Sequence, residues 1–280
     1  MIAIVTGAYG GLGKQVSFAL WNKGFSLILI GRSKSKLITI KNSLENRANQ
    51  SCTTIICDLS DGLAVSEIIR KDISKLKKID TLINIAAIHG PIGMFDKNNM
   101  NEWNDVFQVN FFSPVALTKA VIPLMKKNGG SIINISGGGA AGPRPKFSAY
   151  ASSKAALVRF SETVALELKK NSIRINCVAP GMMPTKLLSE IIAHEDNSEN
   201  KELSVMNEVL TDKNFSYSNV IELILFLTSS NSKYISGKLI SAVWDNWQDW
   251  NKNIVELNKN DLYTLRRITA KDKGFKWGDK

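Results

Sequence analysis

Several features that define whole classes of protein are scarce or missing in this sequence. Its 280 residues contain no run of 18 or more apolar residues, whereas a helix that crosses a bilayer needs about 20. We therefore predict no membrane span. Internal repeats and low-complexity tracts are also absent. An apolar segment begins at Ile2, so we expect no signal peptide before the first strand.

Cysteine is equally scarce. Cys52, Cys57 and Cys177 are the three cysteines, and each lies in or beside an apolar, strand-like segment. This placement favours buried reduced thiols over a disulfide or a metal site. Together with the missing signal peptide, it leads us to expect a cytoplasmic protein.

Positive charge is in excess, but it is not concentrated. The formal net charge is +11, from 36 Lys and Arg against 25 Asp and Glu. No long basic block alternates with aromatic residues, so we predict no binding of nucleic acid. An anionic small molecule is compatible with the excess charge. The hydrophobic fraction of 44% is enough for a buried core.

Short apolar segments alternate with longer segments of helical periodicity. This alternation predicts βαβ units, hence an α/β fold with a doubly wound parallel sheet, Rossmann-like, in three layers and one domain. The predicted strands are Ile2–Val5, Ser26–Ile30, Thr53–Cys57, Thr81–Ile85, Ser131–Ile135, Arg174–Val178 and Lys238–Ala242.

The first strand leads into a glycine-rich segment, Thr6 to Gly13, which precedes a predicted helix. In such a turn Gly7 permits the tight bend, Gly11 lets the backbone approach a pyrophosphate, and Gly13 lets the helix pack on the strand. The helix start supplies free N–H groups and partial positive charge. We predict a dinucleotide site that includes Leu12.

Lys154 follows Tyr150 by four positions, so on a helix the two side chains share one face. A tyrosine hydroxyl has an ordinary pKa of about 10, and a nearby cation lowers that pKa. The pair therefore suits proton transfer to and from an alcohol oxygen.

With these motifs the chain resembles the short-chain dehydrogenase/reductase family from Met1 to about Ala242. Further motifs of that family follow in order: Asp58-Leu59, Asn84-Ile85-Ala86-Ala87, Asn110 and Pro180-Gly181. The resemblance implies an NAD(P)-dependent oxidoreductase that interconverts a secondary alcohol and a ketone.

The resemblance also implies roles for individual residues. Tyr150 would exchange the proton, Lys154 would lower the Tyr150 pKa and hold the nicotinamide ribose, and Asn110 would hold a water. The implied cofactor contacts are Gly7, Gly11, Leu12, Gly13, Arg32, Asp58, Leu59, Asn84, Ala86, Tyr150, Lys154, Pro180 and Gly181. Ala87 stands where the family usually has Gly.

One catalytic position departs from the family pattern. The serine that usually precedes the tyrosine by thirteen residues is replaced by Gly137. Ser136 and Ser148 are two candidate replacements as hydrogen-bond donor. An alternative is that the chain is a catalytically weakened dinucleotide-binding sensor or partner protein.

The second predicted strand ends in Gly31-Arg32-Ser33, without the acidic residue that binds an adenine ribose 2′-hydroxyl. Arg32 suits a 2′-phosphate instead. We therefore predict NADP rather than NAD, although Tyr9-Gly10 occupies the loop position where family members that use NADP often carry a second basic residue.

Two further segments and an assembly complete the predictions. Residues 183–216 would form a substrate lid, and residues 243–280 an extension that packs on the core or on a neighbouring subunit. Arg266-Arg267, in that extension, would bind an anionic substrate such as a sugar nucleotide; a 3-oxoacyl thioester is the alternative. Trp244, Trp247 and Trp250 would form one helix face. The resemblance implies a homodimer or homotetramer through helices near 101–127 and 148–170.

Overall fold

The computed structural model describes residues 1–194 and 201–277. Seven parallel strands form one sheet in the order β3-β2-β1-β4-β5-β6-β7. The doubly wound fold predicted from the alternating pattern is confirmed. The strands are β1 (Ile2–Thr6), β2 (Ser26–Gly31), β3 (Cys52–Ile56), β4 (Thr81–Asn84), β5 (Gly130–Ile135), β6 (Ile173–Ala179) and β7 (Leu239–Ser241).

Helices cover both faces of the sheet. They are α1 (Gly11–Asn22), α2 (Lys34–Ser43), α3 (Gly62–Lys71), α4 (Met100–Phe107), α5 (Ser113–Met125), α6 (Ser148–Leu168), α7 (Lys186–His194), α8 (Lys201–Thr211), α9 (Ser218–Thr228) and α10 (Ile254–Lys259). Two apolar clusters fill the layers. One includes Leu20 and Leu223 from α1 and α9, and the other includes Val65 and Leu117 from α3 and α5.

The direction in which successive strands are added to the sheet changes between β1 and β4. These two strands are neighbours, with Thr6 opposite Asn84, but the chain continues from β1 to one side of the sheet and from β4 to the other. The loops after them diverge and leave a crevice at the carboxyl edge. In open α/β sheets this is where ligands bind.

Where one long helix was expected near 101–127, the chain forms α4 and α5 joined by a π-helical turn at Gln108–Phe112. Such turns occur often at functional sites. Here the turn contains Asn110, whose side chain is fully buried.

The segment proposed as a lid contains α7 and α8, and its residues 195–200 lie outside the described part of the chain. Leu188 and Ile191 of α7 and Met206 of α8 are buried against Tyr150. The two helices therefore contribute to the wall around that tyrosine.

The extension after β7 contacts the core at several points. Trp247 and Trp250 are buried, and their rings lie 5.1 Å from Phe226 and 4.3 Å from Tyr263. They lie in a 3₁₀ turn, Trp247–Asn253, in which residues three apart share one side. Trp244 is 86% exposed, so the expected three-tryptophan helix face is wrong.

Buried charges attach the end of this extension to α6 and β7. Lys238 Nζ donates to the carbonyls of Leu257 and Leu262 at 2.9 and 2.8 Å. Glu162, 7% exposed, accepts from Leu265 N at 2.6 Å and pairs with Arg266 at 3.4 Å.

Arg266 also pairs with Asp261 at 3.1 Å. Neither Arg266 nor Arg267 lines the cavity described below. The anion site predicted at these two residues is therefore wrong, because Glu162 and Asp261 engage Arg266 away from the cavity. No helix within residues 1–194 and 201–277 has the length and apolar character that crossing a bilayer requires.

Candidate active site

A cavity of about 900 Å³ opens at the carboxyl edge of the sheet. It brings together twelve of the fourteen residues singled out from the sequence. These are Gly7, Gly11, Leu12, Gly13, Arg32, Asp58, Leu59, Ala86, Tyr150, Lys154, Pro180 and Gly181. Asn84 and Asn110 do not line it.

The glycine loop after β1 has the features that a pyrophosphate requires. Gly7 has a φ of +64°, and a Cβ added at Gly13 would lie 2.1 Å from the Gly7 carbonyl oxygen. Helix α1 therefore packs so closely against the loop that only glycine fits at position 13. Its N-cap is Gly10, and no side chain caps its first N–H groups. Those donors remain available to phosphate oxygens, so the residues present fit a dinucleotide.

The far end of the cavity is formed by the ends of β2 and β3. Arg32 and Asp58 both line it, and the Arg32 charge adds to the hydrogen bonds from Ser60 that lower the Asp58 pKa. A Cβ added at Gly31 would lie 2.6 Å from the Tyr9 ring. Tyr9 therefore occupies the volume where an acidic side chain at the end of β2 would lie, and Lys36 Nζ is 5.6 Å from the centre of the Tyr9 ring.

Tyr150, near the start of α6, is 7% exposed, and burial raises its pKa to about 12. The nearby Arg144 charge partly opposes this rise. The lowered Tyr150 pKa expected from the sequence is therefore not observed, because loss of hydration outweighs the nearby positive charge. Tyr150 therefore keeps its proton at neutral pH.

Lys154 lies one helical turn later and is 1% exposed. Its Nζ donates to the Ile135 carbonyl at 2.8 Å and lies 5.7 Å from the centre of the Tyr150 ring. Burial lowers the Lys154 pKa to about 8. At pH 7 the ammonium is still charged and is fixed to the end of β5.

The three glycines after Ser136 make room for neighbouring side chains. A Cβ at Gly137 would lie 2.2 Å from Tyr150 Oη, and one at Gly138 would lie 3.3 Å from Arg144 Nη1. Gly139 has a φ of +96°. At the position where the family has serine, the Tyr150 hydroxyl therefore lies over the backbone of Gly137.

Of the two candidate replacement donors, only Ser136 lines the cavity, and its buried Oγ has no hydrogen-bond partner within the described residues. Ser148 Oγ instead accepts from Asn98 and Trp103 at 3.3 and 3.4 Å. Ser148 is therefore engaged outside the cavity wall.

Asn110 fixes the loop after β4. Its Oδ1 accepts from Ile88 N, and its Nδ2 donates to Ile88 O, both at 2.9 Å. Nδ2 also lies 3.1 Å from Ser153 Oγ. These bonds hold the residue that precedes His89. Asn84 has a similar internal position, since its Nδ2 donates to Asn134 Oδ1 at 2.8 Å.

Several polar side chains in the cavity wall were not predicted from the sequence, among them His89, Arg144 and Thr185. His89 is 5% exposed, its ring lies edge-on to Tyr150 at 4.7 Å, and its Nδ1 has no partner in the described part of the chain. Burial lowers the His89 pKa to about 4. His89 is one of two histidines in the chain and follows Asn84 by five positions, and this position could have identified it as a candidate site residue.

A family model described as short chain dehydrogenase matches residues 1–196. The chain belongs to the short-chain dehydrogenase/reductase family. The resemblance drawn from the motifs is thereby confirmed. As a member of this family, the chain is an NAD(P)-dependent oxidoreductase that acts on CH–OH groups.

Relatives of different activities match nearly the whole chain. The 2,3-dihydro-2,3-dihydroxybenzoate dehydrogenase of Bacillus subtilis is 29% identical over 84% of this chain and 91% of the relative. The 3-oxoacyl-[acyl-carrier-protein] reductase FabG of Thermotoga maritima is 27% identical over 85% and 94%. YwfH, an NADPH-dependent reductase involved in bacilysin biosynthesis, has a similar structure, with a TM-score of 0.75 and 26% identity over 86% and 96%.

Proposed function

We propose that this protein interconverts a secondary alcohol and a ketone with Tyr150 as the group that transfers the proton. The observation that carries the proposal is the position of Tyr150 Oη. It lies over the bare backbone of Gly137 in the wall of the same cavity that the glycine loop borders. A bound nicotinamide dinucleotide would supply or accept the hydride.

The charges around Tyr150 favour the role of acid at neutral pH. Its pKa of about 12 keeps the hydroxyl protonated, ready to donate to a ketone oxygen that gains negative charge. Lys154, with a pKa of about 8, is charged at pH 7 and stabilises negative charge left on Tyr150. We therefore propose that Tyr150 is the acid that protonates the ketone oxygen during reduction.

His89 and Ser136 are the groups that we propose to act in place of the missing serine. Both line the cavity and have a buried polar atom with no partner among the described residues. Since the His89 pKa is about 4, its imidazole is neutral at pH 7 and has one N–H to donate. Asn110 positions it by holding Ile88.

We propose NADP as the cofactor. Arg32 lines the far end of the cavity, and no acidic side chain takes the place of Gly31. A planar guanidinium suits a 2′-phosphate. YwfH, the similar structure named above, is described as NADPH dependent, which supports the same choice.

The proposed substrate classes are a sugar linked to a nucleotide or phosphate and, as the alternative, a 3-oxoacyl thioester. The relative from Thermotoga maritima is a 3-oxoacyl-[acyl-carrier-protein] reductase. The relative from Bacillus subtilis acts on a compact cyclic carboxylate. The benzoate is an anion, and the net positive charge of this chain also favours an anionic substrate.

The test of the catalytic proposal is Tyr150→Phe. NADPH oxidation would be followed by absorbance with a panel of ketones, sugar nucleotides and 3-oxoacyl thioesters. Tyr150→Phe removes only the hydroxyl, so we expect turnover to fall by about 10²-fold or more while NADPH binding and the melting temperature stay near those of the wild type. Turnover that survives the substitution would reject the role of Tyr150.

A second candidate function is a dinucleotide-binding sensor, and Gly137 is the observation that favours it. The same panel separates the two functions. A sensor would bind NADPH and turn over no member of the panel, and Tyr150→Phe would then leave all its measurable properties unchanged.

A further inference from the structure

Arg144 lies on the loop between β5 and α6, six residues before Tyr150, and lines the cavity. Its guanidinium carbon lies 4.1 Å from the centre of the Phe147 ring. Phe147 is itself buried beside Tyr150 and lies 5.8 Å from the His89 ring. The cation therefore has a defined place in the wall near the proposed proton donor.

Electrostatics agree with this placement. The positive charge of Arg144 lowers the pKa of Tyr150 and that of His89, in both cases as a smaller effect than burial. The Arg144 guanidinium is therefore close enough to both Tyr150 and His89 to shift their pKa values. An anion bound by Arg144 would lie within the same region.

The guanidinium has no acidic partner within residues 1–194 and 201–277. Of the described side chains that line the cavity, Asp58 is the one carboxylate, and it lies at the Arg32 end. The Arg144 cation lies over the Phe147 ring, and a guanidinium in such a position still has N–H groups that can bind other groups.

The other cations near Tyr150 are already engaged. Lys154 is buried and donates to the Ile135 carbonyl. Lys186, on α7, pairs with Glu190 at 3.3 Å. Arg144 is therefore the cation at this end of the cavity whose hydrogen-bonding edge has no described carboxylate to bind.

We propose that Arg144 binds an anionic group of the substrate, a carboxylate or a phosphate, beside Tyr150. The proposal rests on the proposed oxidoreductase function and specifies its substrate class. A guanidinium presents a planar fork that matches both anions. Gly138 leaves space for that fork, because a Cβ there would lie 3.3 Å from Nη1.

Binding of three small probes to the full chain, saturated with NADP⁺, tests the proposal by calorimetry. The probes are benzoate, phenyl phosphate and benzamide, of which the last is a neutral analogue of benzoate. We expect the wild type to bind at least one of the two anions about tenfold or more tightly than benzamide. The better of the two anions identifies the group as carboxylate or phosphate.

The variant Arg144→Gln should lose that preference and keep both its affinity for NADP⁺ and its weak binding of benzamide. Arg144→Lys should retain part of the preference, because it keeps the charge without the fork. Lys186→Gln is the matched control and should behave as the wild type. Equal binding of anions and amide by the wild type, or an unchanged preference in Arg144→Gln, would overturn the proposal.

Failure of this inference and failure of the proposed function have different signatures. Tyr150→Phe should still bind the preferred anion, since Arg144 is intact. A wild type that binds the anion but turns over no ketone rejects the oxidoreductase mechanism alone. A wild type that reduces neutral ketones but ignores both anions rejects the role of Arg144 alone.

Discussion

At the scale of single residues, Gly137 determines where Tyr150 lies. A side chain at position 137 would need the volume that the tyrosine hydroxyl fills, because the added Cβ would be 2.2 Å from Oη. The family pattern identifies the absence of a serine, but it does not show that a tyrosine hydroxyl has taken the space. A larger residue at 137 therefore changes the position of the proposed proton donor.

We expect Gly137→Ala and Gly137→Ser to lower turnover, on the order of 100-fold, because a displacement of about 1 Å has that effect on a reacting group. NADPH titration and steady-state kinetics would measure the result, with cofactor binding preserved. Gly142→Ala is the matched control in the same loop, since a Cβ there meets nothing within 4 Å. A gain in ketone reduction by Gly137→Ser would instead show that the site lacks a donor.

His89 makes stability depend on pH. Its pKa is about 4 in the folded protein, against an ordinary value of 6.5. Between these values the unfolded chain binds a proton that the folded chain does not, so stability falls as the pH falls from 6.5 towards 4. At pH 5 this amounts to about 2 kcal/mol.

Urea unfolding at pH 7 and pH 5 measures this loss. The wild type should lose more stability between the two pH values than His89→Gln, which has no group that titrates there. If the two proteins lose the same amount, burial does not lower the His89 pKa in the folded protein.

At the scale of elements, the seven strands and the glycine turn could be predicted because they depend on local sequence patterns. Alternation of apolar segments predicts β1 to β7, and Gly7 and Gly13 follow a strand and open a helix. The places of Asn84 and Asn110 could not be predicted. Their partners, Asn134 and Ile88, lie 50 and 22 residues away, and such pairings depend on how the layers pack.

We expect the end of β2 to set the preference for NADPH over NADH. We expect Arg32→Gln to weaken NADPH binding by about tenfold or more and to leave NADH binding unchanged, because one charge-assisted hydrogen bond contributes about 1.5–3 kcal/mol. Fluorescence titration with both cofactors measures the difference. Lys34→Gln, whose side chain does not line the cavity, should retain the wild-type preference. Equal affinities of the wild type for NADPH and NADH would contradict the assignment.

At the scale of the whole molecule, the net charge of +11 is distributed so that the cavity has a cation at each end. Arg32 lies at one end and Arg144 at the other, while Arg266 is held by Glu162 on the far side of α6. The net charge suggested an anionic ligand, but the sequence led us to place its site at Arg266-Arg267. The pairing of Arg266 with Glu162 depends on the tertiary fold and could not be predicted from the local sequence.

The molecule also presents an aromatic surface that we expect to join two copies. Phe112 is 53% exposed, and its ring lies 5.3 Å from Phe111, which in turn lies 6.1 Å from Phe160 of α6. Large exposed aromatic groups at the edge of a packed cluster are typical of interfaces. This cluster lies at the junction of α4, α5 and α6, the helices expected to carry the subunit contact.

Light scattering during size-exclusion chromatography tests the expectation. The wild type should have at least twice the chain mass of 30.9 kDa, and Phe112→Gln should shift it towards the single-chain mass at micromolar concentration. Leu63→Gln on α3, where the side chain is 82% exposed, is the matched control and should leave the mass unchanged. A wild type of single-chain mass at every concentration would show that the aromatic surface does not join copies of this chain.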